Sequence, residues 1–226
     1  MLWPNSGDNM KATLLNYMGD DNTVVDAARV SFKKGHKEFT EEQNHRLIKY
    51  LAEHKHYSPF GHCFASFHVK APVFVRAQLV KHEYLRMNEV SRRYVDSNPT
   101  FYIPTEWRGK ATDRKQGSSG VLEDKFKFGM ETLSLKDEYE HAYEVAHDTY
   151  DMMIKVGVAP EMARMVLPQS MYTEWYWSGS LDAFANMANL RCKPDTQEET
   201  RLIANQISEQ MLEKFPVSWS ELTKWK

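Results

Sequence analysis

The segment from residue 64 to residue 79 constrains the fold most, because a strand pattern leads directly into a helix pattern. Residues 64–70 alternate in polarity, with Phe67 and Val69 on one face and polar side chains on the other. Pro72 suits the first turn of a helix, where its missing amide proton is not needed. The sequence therefore predicts a strand that is followed at once by a helix.

A dense polar stretch, QLVKHEYLRMNEVSRRY, covers residues 78–94. Its first polar side chains recur at spacings of three and four, which predicts that the helix continues to Asn88-Glu89 and that residues 90–94 form a loop. Clustered cations with hydrogen-bonding neighbours suit a phosphate-bearing ligand, because they supply positive charge and directed donors. The stretch therefore indicates a nucleotide-like anion site, with a salt-bridged helix end as the alternative.

Composition limits the class of protein. The chain has 226 residues, 42% of them hydrophobic, which is enough to bury one core, so we expect a single domain. The 29 basic and 31 acidic residues nearly cancel, which argues against a broad nucleic-acid or membrane surface. Cys63 and Cys192 lack metal or redox spacing, and the first residues, MLWPNSGDNMK, show no targeting pattern. These features predict a soluble cytoplasmic protein.

Local patterns predict the remaining elements. Thr40 and Gln43 have capping-box spacing in front of a helix from Glu41 to His54. Residues 108–120 are polar and rich in Gly and Ser, which predicts a flexible surface loop. The other predictions are a strand over Lys11–Met18, a helix over Val24–Val30, one or two helices over Val121–Val156 ended by Gly157, a short helix at Ala159–Glu161, a strand over Tyr172–Trp177, a helix capped by Ser180, and a last helix over Thr196–Phe215 closed by Pro216.

The order K-H-E-x-x-R-x-N-E-x-S-R-R-Y over residues 81–94 resembles the signature of the flavin-dependent thymidylate synthase family. That signature is Arg-His-Arg, seven residues and then Ser, within N-E-x-S-x-R-Y; here Lys81-His82-Glu83 and Ser91 take those positions. Further matches, in the same order as in the family, are H-x-S-P-F-x-H at 56–62, FHVKAP-x-FV-x-x-Q at 67–78, A-R-x-V-L-P at 163–168, Y-T-x-x-x-W at 172–177, and Asn186 with Arg191.

The resemblance implies an α+β fold, with a twisted, mainly antiparallel sheet flanked by long helices. It also implies a homotetramer whose active sites are shared between subunits. The implied reaction methylates dUMP to dTMP, with methylenetetrahydrofolate as the one-carbon donor. FAD would pass hydride to the uracil ring, and NADPH would reduce the flavin again. The expected small-molecule partners are therefore dUMP, the folate and NADPH.

The same resemblance gives roles to single residues. Arg191 matches the guanidinium that stabilises negative charge on the N3/O2 edge of uracil, and Ser91 matches a serine placed like a nucleophile. The sequence shows no general base that could activate Ser91 as a nucleophile, so we assign Ser91 to positioning dUMP. The residues implied for dUMP are Gln78, Lys81, Glu89, Val90, Ser91, Arg92, Arg93, Arg164 and Arg191. Those implied for FAD are Ser58, Lys81, His82, Glu83, Glu89, Ser180 and Asn186, and no metal is expected.

The triplet departs from the family pattern at two positions. Lys81 keeps a positive charge but loses the two-pronged geometry of Arg. Glu83 puts a carboxylate where the family has Arg, which should weaken contact with the FAD pyrophosphate. We hypothesise that Arg86, one helical turn further on, restores the cation. Ser180 and Asp182 also replace a more usual Asn-x-Arg.

Two alternative functions could use residues of the region 53–94. The His-rich zone 54–82, with Glu53 or Glu83, could belong to a metal-dependent hydrolase, although no H-E-x-x-H spacing is present. Alternatively, a nucleic-acid-binding module could use the cations of residues 76–93 with the rings of Tyr84 and Tyr94. The near-neutral charge of the chain argues against that module.

Overall fold

The computed structural model describes residues 10–95, 98–112 and 117–224. The N-terminal residues 1–9 and residues 113–116 of the predicted surface loop therefore lie outside the described residues. The strands are β1 Lys11–Met18, β2 Phe64–Pro72, β3 Leu85–Glu89, β4 Trp107–Lys110, β5 Ser118–Leu122, β6 Phe126–Phe128, β7 Glu131–Leu133 and β8 Tyr172–Ser180. The helices are α1 Asp21–Arg29, α2 Glu41–Glu53, α3 Val73–Leu79, α4 Leu135–Lys155, α5 Pro160–Ala163, α6 Leu181–Arg191, α7 Glu198–Lys214 and α8 Pro216–Leu222.

A four-stranded antiparallel sheet with strand order β1-β2-β8-β3 forms the centre of the fold. The alternation predicted for β2 is confirmed, because Phe67 and Val69 are fully buried on one face of the sheet. The opposite face carries Ser66, His68 and Lys70, and the last two are also buried. Helices with an antiparallel sheet confirm the α+β prediction.

An aromatic cluster fixes helix α6 against the apolar face of the sheet. The ring of Phe184 meets Phe67 of β2 and Trp177 of β8 edge to face, with ring centroids 5.2 and 5.5 Å apart. Helices α7 and α8 add Ile203, Ile207 and Trp219 to the same core, together with other fully buried side chains. Burial of these rings and aliphatic groups is the main stabilising contribution to the fold. Because α6 follows β8 directly, this packing also fixes the direction in which the helix leaves the sheet.

Local sequence signals set the boundaries of several elements. Thr40 accepts a hydrogen bond from the Gln43 amide at 3.3 Å and Gln43 accepts one from the Thr40 amide at 2.9 Å, which confirms the predicted capping box. Helix α1 begins at Asp21, three residues before the predicted start, because Asp20 caps it in the same reciprocal way with Thr23. Strand β1 has the predicted bounds, Lys11–Met18.

The helix that follows Pro72 is shorter than predicted. Pro72 is its N-cap, and the helix ends at Leu79 instead of reaching residue 88. Tyr84 then takes a left-handed backbone conformation, with φ of +63°, and residues 85–89 form strand β3 against β8. The helical spacing was misleading here because pairing with β8 satisfies the backbone of residues 85–89 in an extended form.

The region after residue 107 also differs from the prediction. Strands β4 and β5 pair across the predicted surface loop 108–120, and strands β6 and β7 pair within the predicted helix 121–156. Only α4 is helical there, starting after Ser134. Asp124 holds these parts together, because it accepts from Trp107 Nε1 at 3.0 Å, Ser134 Oγ at 2.8 Å and the Lys136 amide at 2.8 Å. The flexibility of residues 108–120 stays a prediction.

The C-terminal third follows the predicted order of elements. Gly157 follows the end of α4 with a φ of +88°, as predicted for a residue after a helix end. The predicted strand at 172–177 extends to Ser180, and Ser180 is the N-cap of α6 although its side chain makes no capping bond. Pro216 follows the end of α7 and also begins helix α8. Within the described ranges, no helix has the length and apolar character needed to cross a membrane.

Gly179 should be intolerant of a side chain. A Cβ at this position would lie 2.4 Å from Leu85 Cδ2 and 2.9 Å from the Tyr84 carbonyl oxygen, so β3 and the turn before it would have to shift. We expect Gly179→Ala to lower the free energy of unfolding by about 1–3 kcal/mol, measured by chemical denaturation. The control is Gly120→Ala, where an added Cβ meets no atom within 4 Å. Equal stability of the two variants would contradict this prediction.

Candidate active site

Three residues implied for the active site meet where α3 and α6 end. Arg191, the last residue of α6, donates from Nε to Nε2 of His82 at 2.9 Å and from Nη2 to the Gln78 carbonyl oxygen at 3.4 Å. The Gln78 side chain in turn donates to the side chain of Gln197, the residue immediately before α7. The contacts with His82 and Gln78 hold the Arg191 guanidinium in one position at the ends of α3 and α6. Arg191, His82 and Gln78 are named the Arg191 group below.

The protonation state of His82 follows from its surroundings. Burial, and then the nearby Arg191 cation, lower the pKa of His82 to about 4. The imidazole is therefore neutral at pH 7, and Nε2 accepts the hydrogen bond from Arg191. Burial also lowers the pKa of Arg191, but an arginine stays charged in proteins. The site thus holds a fixed cation beside a neutral acceptor.

A second set of implied residues begins at the other end of β3. Glu89, its last residue, forms an ion pair with Arg76 Nη2 at 2.6 Å and accepts from Thr173 Oγ1 at 2.9 Å. The next amide, of Val90, donates to the Glu174 carbonyl oxygen at 2.8 Å. These bonds fix the point at which the chain leaves β3 for the following turn.

The turn at residues 91–94 carries a serine and two arginines. Ser91 Oγ accepts from the Arg93 amide at 3.2 Å, and in the described residues no carboxylate or imidazole is hydrogen-bonded to it. This geometry suits a positioning role better than a nucleophile, which needs a base. Arg93 Nε lies 3.7 Å from the Glu161 carboxylate, and Arg164 Nε donates to the Glu161 carbonyl oxygen at 3.4 Å.

Arg92 has a different environment from Arg93. Burial lowers the pKa of Arg92, and interaction with the Tyr150 hydroxyl of α4 opposes that shift. Helix α4 and the segment at Glu161–Arg164 therefore support the turn from one side. Residues 89–93 and Arg164 are named the Ser91 group below.

The residues implied for FAD lie mostly at the end of the sheet near the Arg191 group. The sheet pairs Phe64 with Ser180 and Leu85 with Gly179, so β2, β3 and β8 meet there. Ser58 is exposed in the 3₁₀ turn before β2, and Asn186 is exposed on α6. Lys81 and Glu83 are exposed in the turn between α3 and β3, next to His82. Glu89 is the exception, because it lies at the far end of β3.

Strand β3 separates the two groups within one chain. A strand rises about 3.3 Å per residue, so Leu85 and Glu89 lie roughly 13 Å apart along it. The Arg191 group lies before the first of these residues and the Ser91 group begins at the last. The structure therefore brings together Gln78, His82 and Arg191, and separately the residues of the turn, but not the two sets with each other.

Three partners of the site were missed at the level of sequence. Gln197 bonds to Gln78 across 119 positions, and Thr173 bonds to Glu89 across 84 positions. Arg76 was considered only as a cation for nucleic acid, whereas it forms an ion pair with Glu89. No local pattern links residues so far apart. The sequence signal for such partners is weak: a polar residue at the predicted end of a strand or at the predicted start of a helix.

The histidines of the His-rich zone do not form one cluster, although the rings of His54 and His56 lie 6.2 Å apart. His54 stacks on Tyr50 with centroids 4.0 Å apart, and its Nδ1 lies 2.9 Å from the Tyr50 carbonyl oxygen. His68 Nε2 instead lies 2.7 Å from the Glu174 carboxylate inside the sheet. No group of three potential metal ligands occurs in the part of the chain that the structure describes. The hydrolase alternative is therefore not favoured.

Known proteins resemble this chain over nearly its whole length. The family model for thymidylate synthase complementing protein matches residues 13–217. A flavin-dependent thymidylate synthase of Thermus thermophilus is 41% identical over 92% of this chain and 73% of its own length. The enzyme of that name from Kosmotoga olearia is 39% identical, over 91% of this chain and 86% of its own.

A solved structure agrees with these sequence matches. A UMP/dUMP methylase of Streptomyces cacaoi, bound with 5-Br dUMP, superposes with a TM-score of 0.79 and 28% identity over 96% of both chains. The same methylase has also been solved with 5-Br UMP. Given the extent of the family match, the sequence identity and the shared fold, this chain belongs to the flavin-dependent thymidylate synthase family.

Proposed function

We propose that this protein converts dUMP to dTMP, with methylenetetrahydrofolate as the one-carbon donor, FAD as the flavin and NADPH as the reductant. The observation that carries the proposal is the fixed Arg191 guanidinium, held by His82 and the Gln78 carbonyl oxygen in a chain of this family. The named relatives are flavin-dependent thymidylate synthases, and the related structure holds a dUMP analogue.

Arg191 has the chemistry that the reaction needs. Uracil is a poor electrophile, so negative charge on its N3/O2 edge must be stabilised while C5 and C6 react. A guanidinium keeps its charge and offers directed donors, and a preorganised cation loses little energy to reorganisation. Arg191 is therefore assigned to that edge. Gln78 and Lys81 would contact the nucleotide from the end of α3 and the turn after it.

The residues at the end of the sheet near the Arg191 group fit FAD. The Ser180 hydroxyl makes no capping bond, and Lys81 and Asn186 are exposed, so donors for a dinucleotide are available there. FAD, when bound and reduced by NADPH, would supply to the uracil ring the hydride by which the transferred methylene unit becomes the methyl group of dTMP. Ser58, His82 and Glu83 would complete the contacts. The carboxylate of Glu83 would repel the pyrophosphate, and a nearby cation would have to offset it.

Arg86 is the candidate cation, by a different geometry from the one expected. The prediction placed it one helical turn after Glu83, but α3 has already ended and Arg86 lies on β3. It is exposed and is paired in register with Ser178, whose hydroxyl lies 2.8 Å from that of Ser66. The hypothesis therefore becomes that Arg86 extends from the sheet edge toward the pyrophosphate.

We also propose that the chain acts as a homotetramer in the cytoplasm, with each active site built from two or more subunits. The separation of the Arg191 group from the Ser91 group by strand β3 supports this, since both are implied for one dUMP. An exposed apolar stripe formed by Val145 and Met152 on α4 and by Val156 just after it would suit a subunit interface. The two cysteines are free, as in a reducing compartment.

The central test is a dTMP-formation assay. Purified protein with dUMP, methylenetetrahydrofolate, FAD and NADPH should form dTMP, detected by chromatography. Omission of any one component should abolish turnover, because each supplies a different part of the reaction; FAD is omitted with protein from which bound flavin has first been removed. Protein purified with bound flavin should show a visible absorption band.

The same assay separates the alternatives. UMP in place of dUMP tests the second kind of nucleotide, because the related methylase was also solved with 5-Br UMP. Methylation of UMP but not of dUMP would change the assigned substrate from dUMP to UMP. A protein that binds no FAD and forms no dTMP would contradict the proposed function.

Arg86→Ala should weaken FAD binding. Loss of one exposed cation near a pyrophosphate should raise the Kd for FAD about 5-fold to 10-fold at low salt, measured by fluorescence titration. The matched control is Arg46→Ala, which removes an exposed arginine from α2, where it pairs with Glu42 at 3.4 Å. If the two variants bind FAD equally well, Arg86 does not offset Glu83.

Shared sites predict recovery of activity when two inactive variants are combined. Arg191→Gln damages one group and Arg93→Gln damages the other, so each variant alone should be strongly impaired. In co-expressed mixed assemblies one intact site can form from the undamaged group of each chain. With random pairing, about one quarter of the sites should be intact. Activity of affinity-purified mixed protein measures this fraction.

The control mixes two variants of the same group. Arg191→Gln and Gln78→Ala lie together, so no subunit arrangement that separates the groups restores a site from them. Recovery in the first mixture and not in the second is the expected result. Absence of recovery in both, with mixed assemblies present, would rule out sharing between these two groups.

A further inference from the structure

His82 meets Arg191 in a way that the flavin contact expected from sequence does not explain. Its Nε2 lies 2.9 Å from Nε of Arg191, and both side chains are partly buried. The two residues are 109 positions apart in sequence, so the contact depends on the fold and not on a local turn. His82 itself is held by its amide, which donates to the Leu79 carbonyl oxygen at 3.2 Å.

The contact defines where the proton of the imidazole is. Nε of an arginine is a donor and never an acceptor, so Nε2 of His82 must be unprotonated. The imidazole is neutral, so its one proton lies on Nδ1. Arg191 is the one charged residue that contributes to the lowered pKa of His82 among the residues the structure describes. The neutral state is thus favoured first by burial and then by the same residue that His82 contacts.

The contact also defines which part of Arg191 is free. A guanidinium has five N–H donors. His82 takes the one on Nε, and the Gln78 carbonyl oxygen takes one on Nη2 at 3.4 Å. Within the contacts of the described residues, three donors remain for a ligand: both on Nη1 and the second one on Nη2. A flexible arginine side chain that is anchored at Nε keeps the plane of its guanidinium fixed, which is needed to face the edge of a flat ring.

We propose that His82 is a positioning residue for Arg191: as a neutral acceptor it orients the guanidinium toward the uracil ring before the substrate binds. This role rests on the proposed function, since it assumes that Arg191 faces dUMP. The acceptor at Nε2 is what matters, so a side chain that places an acceptor at the same distance from the backbone should replace His82. Gln does so with Oε1, whereas Leu has a similar size and no acceptor.

The first test is independent of catalysis. Ligand-free protein labelled with 15N-histidine should show His82 at pH 7 with the proton on Nδ1 and none on Nε2, by long-range 1H–15N correlation spectra. The resonance is assigned by its loss in His82→Gln. A proton on Nε2, or a doubly protonated ring, would overturn the proposed contact.

The second test measures turnover at saturating FAD, so that weaker FAD binding by a His82 variant does not change the result. His82→Leu should lower kcat about tenfold or more, with a smaller change in the KM for dUMP, because orientation counts most in the transition state. His82→Gln should stay within about threefold of the unmodified enzyme, because it keeps the acceptor. Equal losses in Gln and Leu variants of equal stability would overturn the role.

A double-mutant comparison ties the effect to Arg191. Lysine at position 191 has no Nε–H to bond with His82. In the Arg191→Lys background, His82→Leu should therefore lower kcat by less than about a further threefold. An undiminished loss there would show that His82 acts through another group and would overturn the proposal. Unmodified protein that forms no dTMP would instead overturn the proposed function, while the position of the His82 proton would still report on the contact.

Discussion

The double pairing of strand β8, with β2 on one side and β3 on the other, is the constraint on which the site depends. Gly179, the last residue but one of β8, lies between the two neighbouring strands, opposite Ala65 of β2 and Leu85 of β3. Because it has no side chain, Leu85 and the Tyr84 carbonyl oxygen can approach it closely. The same strand continues into α6, which ends at Arg191. One strand therefore positions the turn that carries His82 and also the helix that carries its partner.

Elements with strong local signals were predictable from sequence, whereas the end of α3 was not. Strand β1 and the capping box at Thr40 depend on residues within a few positions of one another, and both were confirmed. Residues 80–88 have helical spacing, but β8 pairs with residues 85–89 in a ladder, and Leu85 is buried there. Tertiary pairing outweighs a weak helical preference in such a case.

The candidate site shows the same division. The family motifs imply that Gln78, His82 and Arg191 belong to one site, but not the bonds among them. The ion pair of Glu89 with Arg76 and the bond of Gln78 to Gln197 arise from the packing of separate elements. Such contacts depend on the angle at which helices leave the sheet, and that angle is set by core rings such as Phe184 rather than by the motif.

The middle of the signature, residues 85–89, forms a strand, and this limits which signature residues can meet in one site of a single chain. A helix would gather side chains three and four apart onto one side, but a strand carries its two ends away from each other. Residues 81–83 therefore lie at the end of the sheet near α6, and residues 89–93 lie at the far end, where Arg93 and Arg92 contact Glu161 and Tyr150 of α4. Under the proposed arrangement, two copies related by a two-fold axis each give one end and receive the other. A self-complementary pairing of this kind closes both sites at once without any change in the fold of either chain.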